Sequence, residues 1–370
     1  MTTKETPASS NSDETTRAQT TTEALEWHAP VMVRIDEHTT IPHLLKERVQ
    51  RGATRPLILR KVGIGDTWRS ISARDFYDEV QSVAAGLMAR GLEPGDRVAI
   101  MSRTHYEWTL LDFACWAAAL VPVPIYETSS IDQVAHVLVD ADVDLIVTET
   151  VSMAEIVRAA AEREHRDNTH VLSLDSEAID TLIAEGATVP RDRVAARADK
   201  LTTDDIATIV YTSGTTGTPK GTVLSHENFT NLCLNAHAWM PEIAAGKNSR
   251  LLLFLPLAHV FARFLQVFQI SGNGVLGHAP NIKNLLPDLA SFKPSYLLVV
   301  PRVLEKIYNS ADTKARGPKQ KIFRWAAKVA IAYSQALDTE EGPTASLKAQ
   351  HALADKLVYQ QIIRLVGGNA

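Results

Sequence analysis

Residues Ser72–Met101 read SARDFYDEVQSVAAGLMARGLEPGDRVAIM, and the spacing of their apolar side chains changes period partway along. Phe76, Val80, Val83, Ala84 and Leu87 recur at helical intervals, Gly91 stands where a helix C′ residue belongs, and Pro94-Gly95 makes a turn. Val98–Met101 then reads as a buried strand. This helix-turn-strand unit repeats downstream. Thr104 and Glu107 in THYE fit the Ncap and N3 positions of a capping box that opens a helix through WTLLDFACWAAAL. Ser130 and Gln133 begin the helix IDQVAHVLVDA, followed by the strand DLIVTE, a helix around MAEIVRAAAERE and the strand HVLSL. Strands alternating with helices of this length require crossover connections, so the expected class is α/β, with parallel-rich sheets covered by helices.

Past a charged connector, RVAARADKLTTDD, the strand IATIVY is followed by LLLFLP, GVLGHA and SYLLVVP as three more buried strands. Helical stretches are expected after His259, Asn281 and Pro301, and from about Ser310 two further helical segments take over. The domain reading is a disordered polar tail over 1–24, a first α/β subdomain over 25–200, and a second over 201–370.

Composition narrows the function classes. In 370 residues, 38 Lys and Arg stand against 43 Asp and Glu, a net charge of −5 that offers no basic excess for a nucleic-acid backbone. Cys115 and Cys233 lie in separate apolar runs without metal-ligand spacing, which points to a reducing, cytoplasmic setting. The N-terminus lacks the apolar core of a secretory signal, and the longest uncharged apolar run, Phe113–Tyr126, is shorter than a membrane span. Six cations between Lys314 and Lys328, with Trp325 among them, read first as a solvated helical face and second as a peripheral membrane contact.

The chemistry is concentrated in YTSGTTGTPKG, Tyr211–Gly221. Gly214, Gly217 and Gly221 permit close backbone approach, Thr212, Ser213, Thr215, Thr216 and Thr218 supply hydroxyls, and Lys220 supplies a cation. That inventory suits a phosphate chain better than a solvated turn. The spacing is not that of a Walker A loop, since Pro219 stands where glycine is needed and Gly221 where Ser or Thr is needed. Strand-like residues flank the loop on both sides, so it is expected on a hairpin.

These residues resemble the signature phosphate loop of the adenylate-forming, AMP-binding superfamily. FLPLAHVFAR, Phe254–Arg263, and VVPRVLEKIY, Val299–Tyr308, are similar to its long-chain fatty acyl-CoA synthetase branch. The resemblance runs from about residue 45 to the end of the chain. It implies the large N-terminal domain of an enzyme that joins a fatty acid to ATP as an acyl-adenylate and passes the acyl group to coenzyme A. It implies further that Thr212, Ser213, Gly214, Thr215, Thr216 and Gly217 wrap the β- and γ-phosphates, with Thr215 a Mg²⁺ ligand and Lys220 an anchoring charge. His259 would lie near the α-phosphate and the carboxylate; without the motif, a histidine beside apolar residues reads as a packing residue. His226 reads as a first-turn residue of a helix capped by Ser225.

Leu232, Leu234, Trp239, Val260, Phe261 and Leu265 fit the wall of an acyl cavity as well as they fit a core. The family's later signatures are not found in this sequence. The expectation is therefore an N-terminal portion, truncated before its last strands and C-terminal domain and inactive alone. The alternatives are a catalytically incompetent nucleotide- or acyl-binding chain and a ligase for another carboxylic acid.

Overall fold

The structure, a computed structural model, describes residues 30–63, 67–166, 168–212, 218–244 and 249–368. From Met32 onward the chain gathers into one compact unit. Helix α1 (Ile41–Gly52) leads into the antiparallel pair β1 (Pro56–Lys61) and β2 (Trp68–Ser72). Next come α2 (Ala73–Ala89), β3 (Arg97–Met101), α3 (Tyr106–Ala117), β4 (Val121–Ile125), α4 (Ile131–Asp140), β5 (Val143–Thr148), α5 (Val151–Arg163) and β6 (His170–Ser173). Helices α6 (Ala178–Gly186) and α7 (Arg191–Ala198) precede the hairpin β7 (Ile206–Thr212) and β8 (Lys220–Ser225). The remainder is α8 (His226–Trp239), α9 (Pro241–Ala244), β9 (Arg250–Leu253), α10 (Val260–Ser271), β10 (Val275–His278), α11 (Leu285–Phe292), α12 (Pro301–Lys314), α13 (Pro318–Leu337), α14 (Ala345–Ala354) and α15 (Gln360–Leu365).

One sheet runs in the order β2-β1-β10-β9, parallel except for β2. The second, β4-β3-β5-β6, is wholly parallel, and the β7–β8 hairpin forms a third sheet of two strands. The alternation of a strand sends neighbouring residues to opposite faces. Val98 and Ile100 of β3 join the core shared with α2 and α3, while Ala99 and Met101 join the core under α4 and α5. In β9, Leu251 and Leu253 face the shared core, and Leu252 faces α11. Both four-stranded sheets therefore enclose a helical layer. Within it every residue of α3 except Glu107 is buried, which is why its sequence is apolar all round.

Helices α2 and α6 cross at glycines. A Cβ added at Gly86 would sit 2.1 Å from the Leu182 carbonyl oxygen, and one at Gly186 would sit 2.4 Å from the Gly86 nitrogen. Gly91, with φ +86°, ends α2 in the left-handed region that the sequence assigns to it.

Strand β4, VPVPI, is fully buried at the sheet edge, with Pro122 opposite Val98 and Pro124 opposite Ile100. Proline is tolerated there because its ring nitrogen faces away from the ladder.

The capping boxes of α4 (Ser130 and Gln133) and α8 (Ser225 and Asn228) are formed. The one expected at Thr104–Glu107 is not. His105 is the N-cap of α3, the Thr104 hydroxyl donates to Leu255 O at 2.8 Å and accepts from Leu257 N at 3.1 Å, and Glu107 pairs with His105 and Arg60. SYLLVVP is not a strand: Tyr296–Val299 are half-buried without a ladder, and among the described residues its hydrogen bonds to β9 join Ser295 and Arg250. The charged connector contains α7, held against the end of α2 by an Arg197–Leu92 O hydrogen bond of 2.7 Å and an Arg197–Glu93 ion pair. Of the six cations, Arg324 is taken up by Asp312 in a two-pronged pair at 2.8 and 2.9 Å. Among the described residues, no helix is long and apolar enough to cross a membrane.

Candidate active site

The C-terminal ends of β4 and β7 and the N-terminus of α10 converge on a cleft of about 460 Å³. Carboxyl ends of parallel strands are where open α/β sheets bind ligands, because the loops there diverge. From β4 and the loop after it come Ile125, Tyr126 and Ser129; α4 adds Gln133 and Val137; β7 adds Tyr211 and Thr212; Pro219, His259 and Val260 complete the lining.

Thr212 and Lys220 are register partners at the loop end of the hairpin, as the hairpin reading requires. Lys220 is exposed, and its ammonium has no ion-pair partner among the described residues. Ser213, Gly214, Thr215, Thr216 and Gly217 lie outside the described residues. Gly221 has a packing reason to be glycine: a Cβ there would lie 2.9 Å from Ile209 Cγ2 and 3.1 Å from the Tyr211 ring. Helix α4 touches both limbs of the hairpin. His136 Nε2 lies 2.7 Å from Pro219 O, and the Tyr211 hydroxyl donates to Asp140 at 2.6 Å. Burial, and then the Asp140 carboxylate, push the Tyr211 phenol well above its usual range.

His259 is the N-cap of α10, where its Nδ1 accepts a hydrogen bond from Phe261 N at 3.2 Å. The accepting Nδ1 fixes the tautomer with hydrogen on Nε2 in the neutral ring. His259 is exposed and lines the cleft that Thr212 also lines. Of the residues considered for an acyl wall, Val260 lines this cleft. Leu265 is in the core, Leu234 packs against it, and Leu232, Phe261 and Trp239 are surface-exposed. The opposite wall, Tyr126, Ser129 and Gln133, was not singled out from the sequence. Its signal was positional: a turn at the C-terminal end of a parallel strand.

A second polar cluster lies at the start of α3. His105 Nδ1 contacts Glu107 at 2.8 Å, its Nε2 contacts Ser102 Oγ at 2.7 Å, and Glu149 lies 3.8 Å from Nε2. Burial alone would lower the His105 pKa, but the neighbouring carboxylates of Glu107 and Glu149 carry it up to about 9. Burial likewise opposes ionisation of Glu107, yet His105 and Arg60 hold it down to about 2. A histidine raised above its ordinary value of about 6.5 stabilises the fold fully below that pH and loses the contribution as pH rises through its folded value. Unfolding free energy is expected to fall by about 2–3 kcal/mol between pH 6.5 and 9, and His105→Asn should flatten that slope. Denaturant melts across the window check this.

The AMP-binding enzyme family model matches residues 45–353. The chain is 38% identical over 347 residues to the proteins named long-chain-fatty-acid–CoA ligase FadD15 of Mycobacterium bovis and Mycobacterium tuberculosis. That alignment covers 93% of this chain and 57% of theirs, so the chain spans little more than half the length of these relatives. Among solved structures, VinN superposes with a TM-score of 0.62 at 16% identity, covering 75% of this chain and 64% of VinN. Mycobacterium tuberculosis fatty acyl CoA synthetase superposes with a TM-score of 0.60 at 22% identity, over 73% of this chain and 51% of that one. With β7, β8 and the cleft all inside the matched span, the chain belongs to the AMP-binding enzyme family.

Proposed function

We propose that the protein is an ATP-dependent long-chain fatty acid:CoA ligase that works through an acyl-adenylate. The observation that carries the reading is the cleft lined both by Thr212, at the end of β7, and by His259, at the start of α10. The identity to the FadD15 ligases supports the choice of long-chain acids.

A carboxylate oxygen attacks the α-phosphorus of ATP in line, the bond to the bridging oxygen breaks, and pyrophosphate leaves. The thiol of coenzyme A then attacks the acyl carbonyl and AMP departs. This chain's contribution is electrostatic. The Lys220 ammonium, without an ion-pair partner among the described residues, and the Thr212 hydroxyl stand at the loop end of the hairpin, a donor set that fits an anionic triphosphate. Ser213, Gly214, Thr215, Thr216 and Gly217 supply the rest of the cradle in this reading. In this reading Thr215 would be the protein ligand of a bound Mg²⁺, which would supply neutralisation of phosphate charge. His259, its Nδ1 engaged by Phe261 N, presents Nε2–H to an oxygen of the α-phosphate or the carboxylate.

The test is pyrophosphate–ATP exchange by the enzyme in its complete form with a panel of acids. Exchange that depends on long-chain fatty acids is the expected result. Exchange with short or aromatic acids only moves the reading to another carboxylate, and ATP binding without exchange makes the chain a non-catalytic binder.

A further inference from the structure

Arg263 sits one helical turn after His259 and is fully buried, as is its partner Asp112. A guanidinium in a core costs several kcal/mol of desolvation, and a buried ion pair adds little net stability over apolar packing. Its geometry links four elements. Nε and Nη2 donate to Asp112 Oδ2 and Oδ1 of α3 at 3.0 and 2.7 Å. Nη1 donates to the Thr208 hydroxyl of β7, which in turn donates to Pro122 O of β4 at 2.6 Å. The guanidinium also lies 5.4 Å from the centroid of Trp116, whose Nε1 donates to Ala207 O at 2.7 Å.

Three of these elements, β7, β4 and α10, reach the cleft, while α3 supplies the buried carboxylate behind them. Four residues past Thr208, β7 delivers Thr212; past Pro122, β4 delivers Ile125 and Tyr126; one turn before Arg263, α10 begins at His259. We infer that Arg263 is a positioning residue, its planar fork setting the first turn of α10, and with it His259, against the ends of β7 and β4. Lysine lacks the fork and cannot hold both elements at once. The inference rests on the proposed reaction for its catalytic consequence, and on the geometry alone for its structural one.

Arg263→Lys and the paired replacement Asp112→Leu/Arg263→Met test it; the pair keeps the volume apolar if a single change fails to fold. Hydrogen exchange is read first, since it needs no activity. The expected result is at least about tenfold faster exchange over residues 259–264 and the ends of β7 and β4, with α5 unchanged. Unchanged protection there overturns the proposal.

Pyrophosphate exchange is read second. Each variant should lose about tenfold or more in kcat in the otherwise wild-type protein, and less than about twofold in a His259→Ala background, because groups acting through one another are not additive. Equal losses in both backgrounds overturn the link to His259. Wild-type protein without exchange refutes the ligase reading, while the exchange-protection result still decides the positioning role.

Discussion

Replacing Lys220 with alanine is expected to slow acyl-adenylate formation about 10²- to 10³-fold, the usual cost of removing one preorganised charge or donor from a developing anion. The fold should barely respond. Lys220 is exposed, its side chain pairs with no described group, and its place in β8 rests on strand pairing opposite Thr212. The loss in strand propensity is a few tenths of a kcal/mol. Lys220→Arg retains the charge but changes its reach, and should recover part of the rate. Single-turnover adenylate formation alongside thermal melts separates the two effects. A wild-type rate in the alanine variant removes Lys220 from the chemistry.

The second large effect concerns stability. Gly86→Ala should cost about 3 kcal/mol, at the upper end for overpacking, because the new methyl meets the backbone carbonyl of Leu182 rather than a movable side chain. Gly186→Ala should behave alike from the other side of the crossing. Gly52 provides the control. A Cβ there meets Arg55 Cδ at 2.7 Å, but that side chain is flexible, and alanine at the end of α1 gains helix propensity. Gly52→Ala should therefore be neutral or mildly stabilising. Urea titrations of the three variants measure this, and equal stability at Gly86 and Gly52 would show that α2 and α6 do not cross as closely as described.

Much of the architecture is legible in the sequence, because burial on both faces writes itself as apolar runs and helix starts carry local signals. The Ser130–Gln133 and Ser225 caps read correctly since their partners lie three residues away. Thr104 misled because its hydroxyl is claimed by a segment about 150 residues downstream, which no local pattern announces. Helix α7 was missed for a related reason: only Val194 of its residues is buried, so tertiary contacts of Arg197 hold it in place rather than an apolar stripe. SYLLVVP has strand composition, but a strand also needs a neighbour to pair with, and composition does not report one. For the site, the loop motif located one wall of the cleft and FLPLAHVFAR the second. The wall at Tyr126–Gln133 became visible only when β4 was placed beside β7.

The two prolines of β4 have a mechanical consequence. Pro122 O accepts from Thr208, so residue 122 turns its backbone toward β7, and Pro124, two residues on, turns the same way. Neither ring nitrogen carries a hydrogen, so this margin of the parallel sheet cannot zip onto β7 as a fifth strand. The hairpin bearing the candidate phosphate loop therefore leans on the sheet through side chains instead of being laminated into it. What holds the seam is the Thr208–Pro122 O hydrogen bond and the Trp116–Ala207 O bond behind it, not a strand ladder.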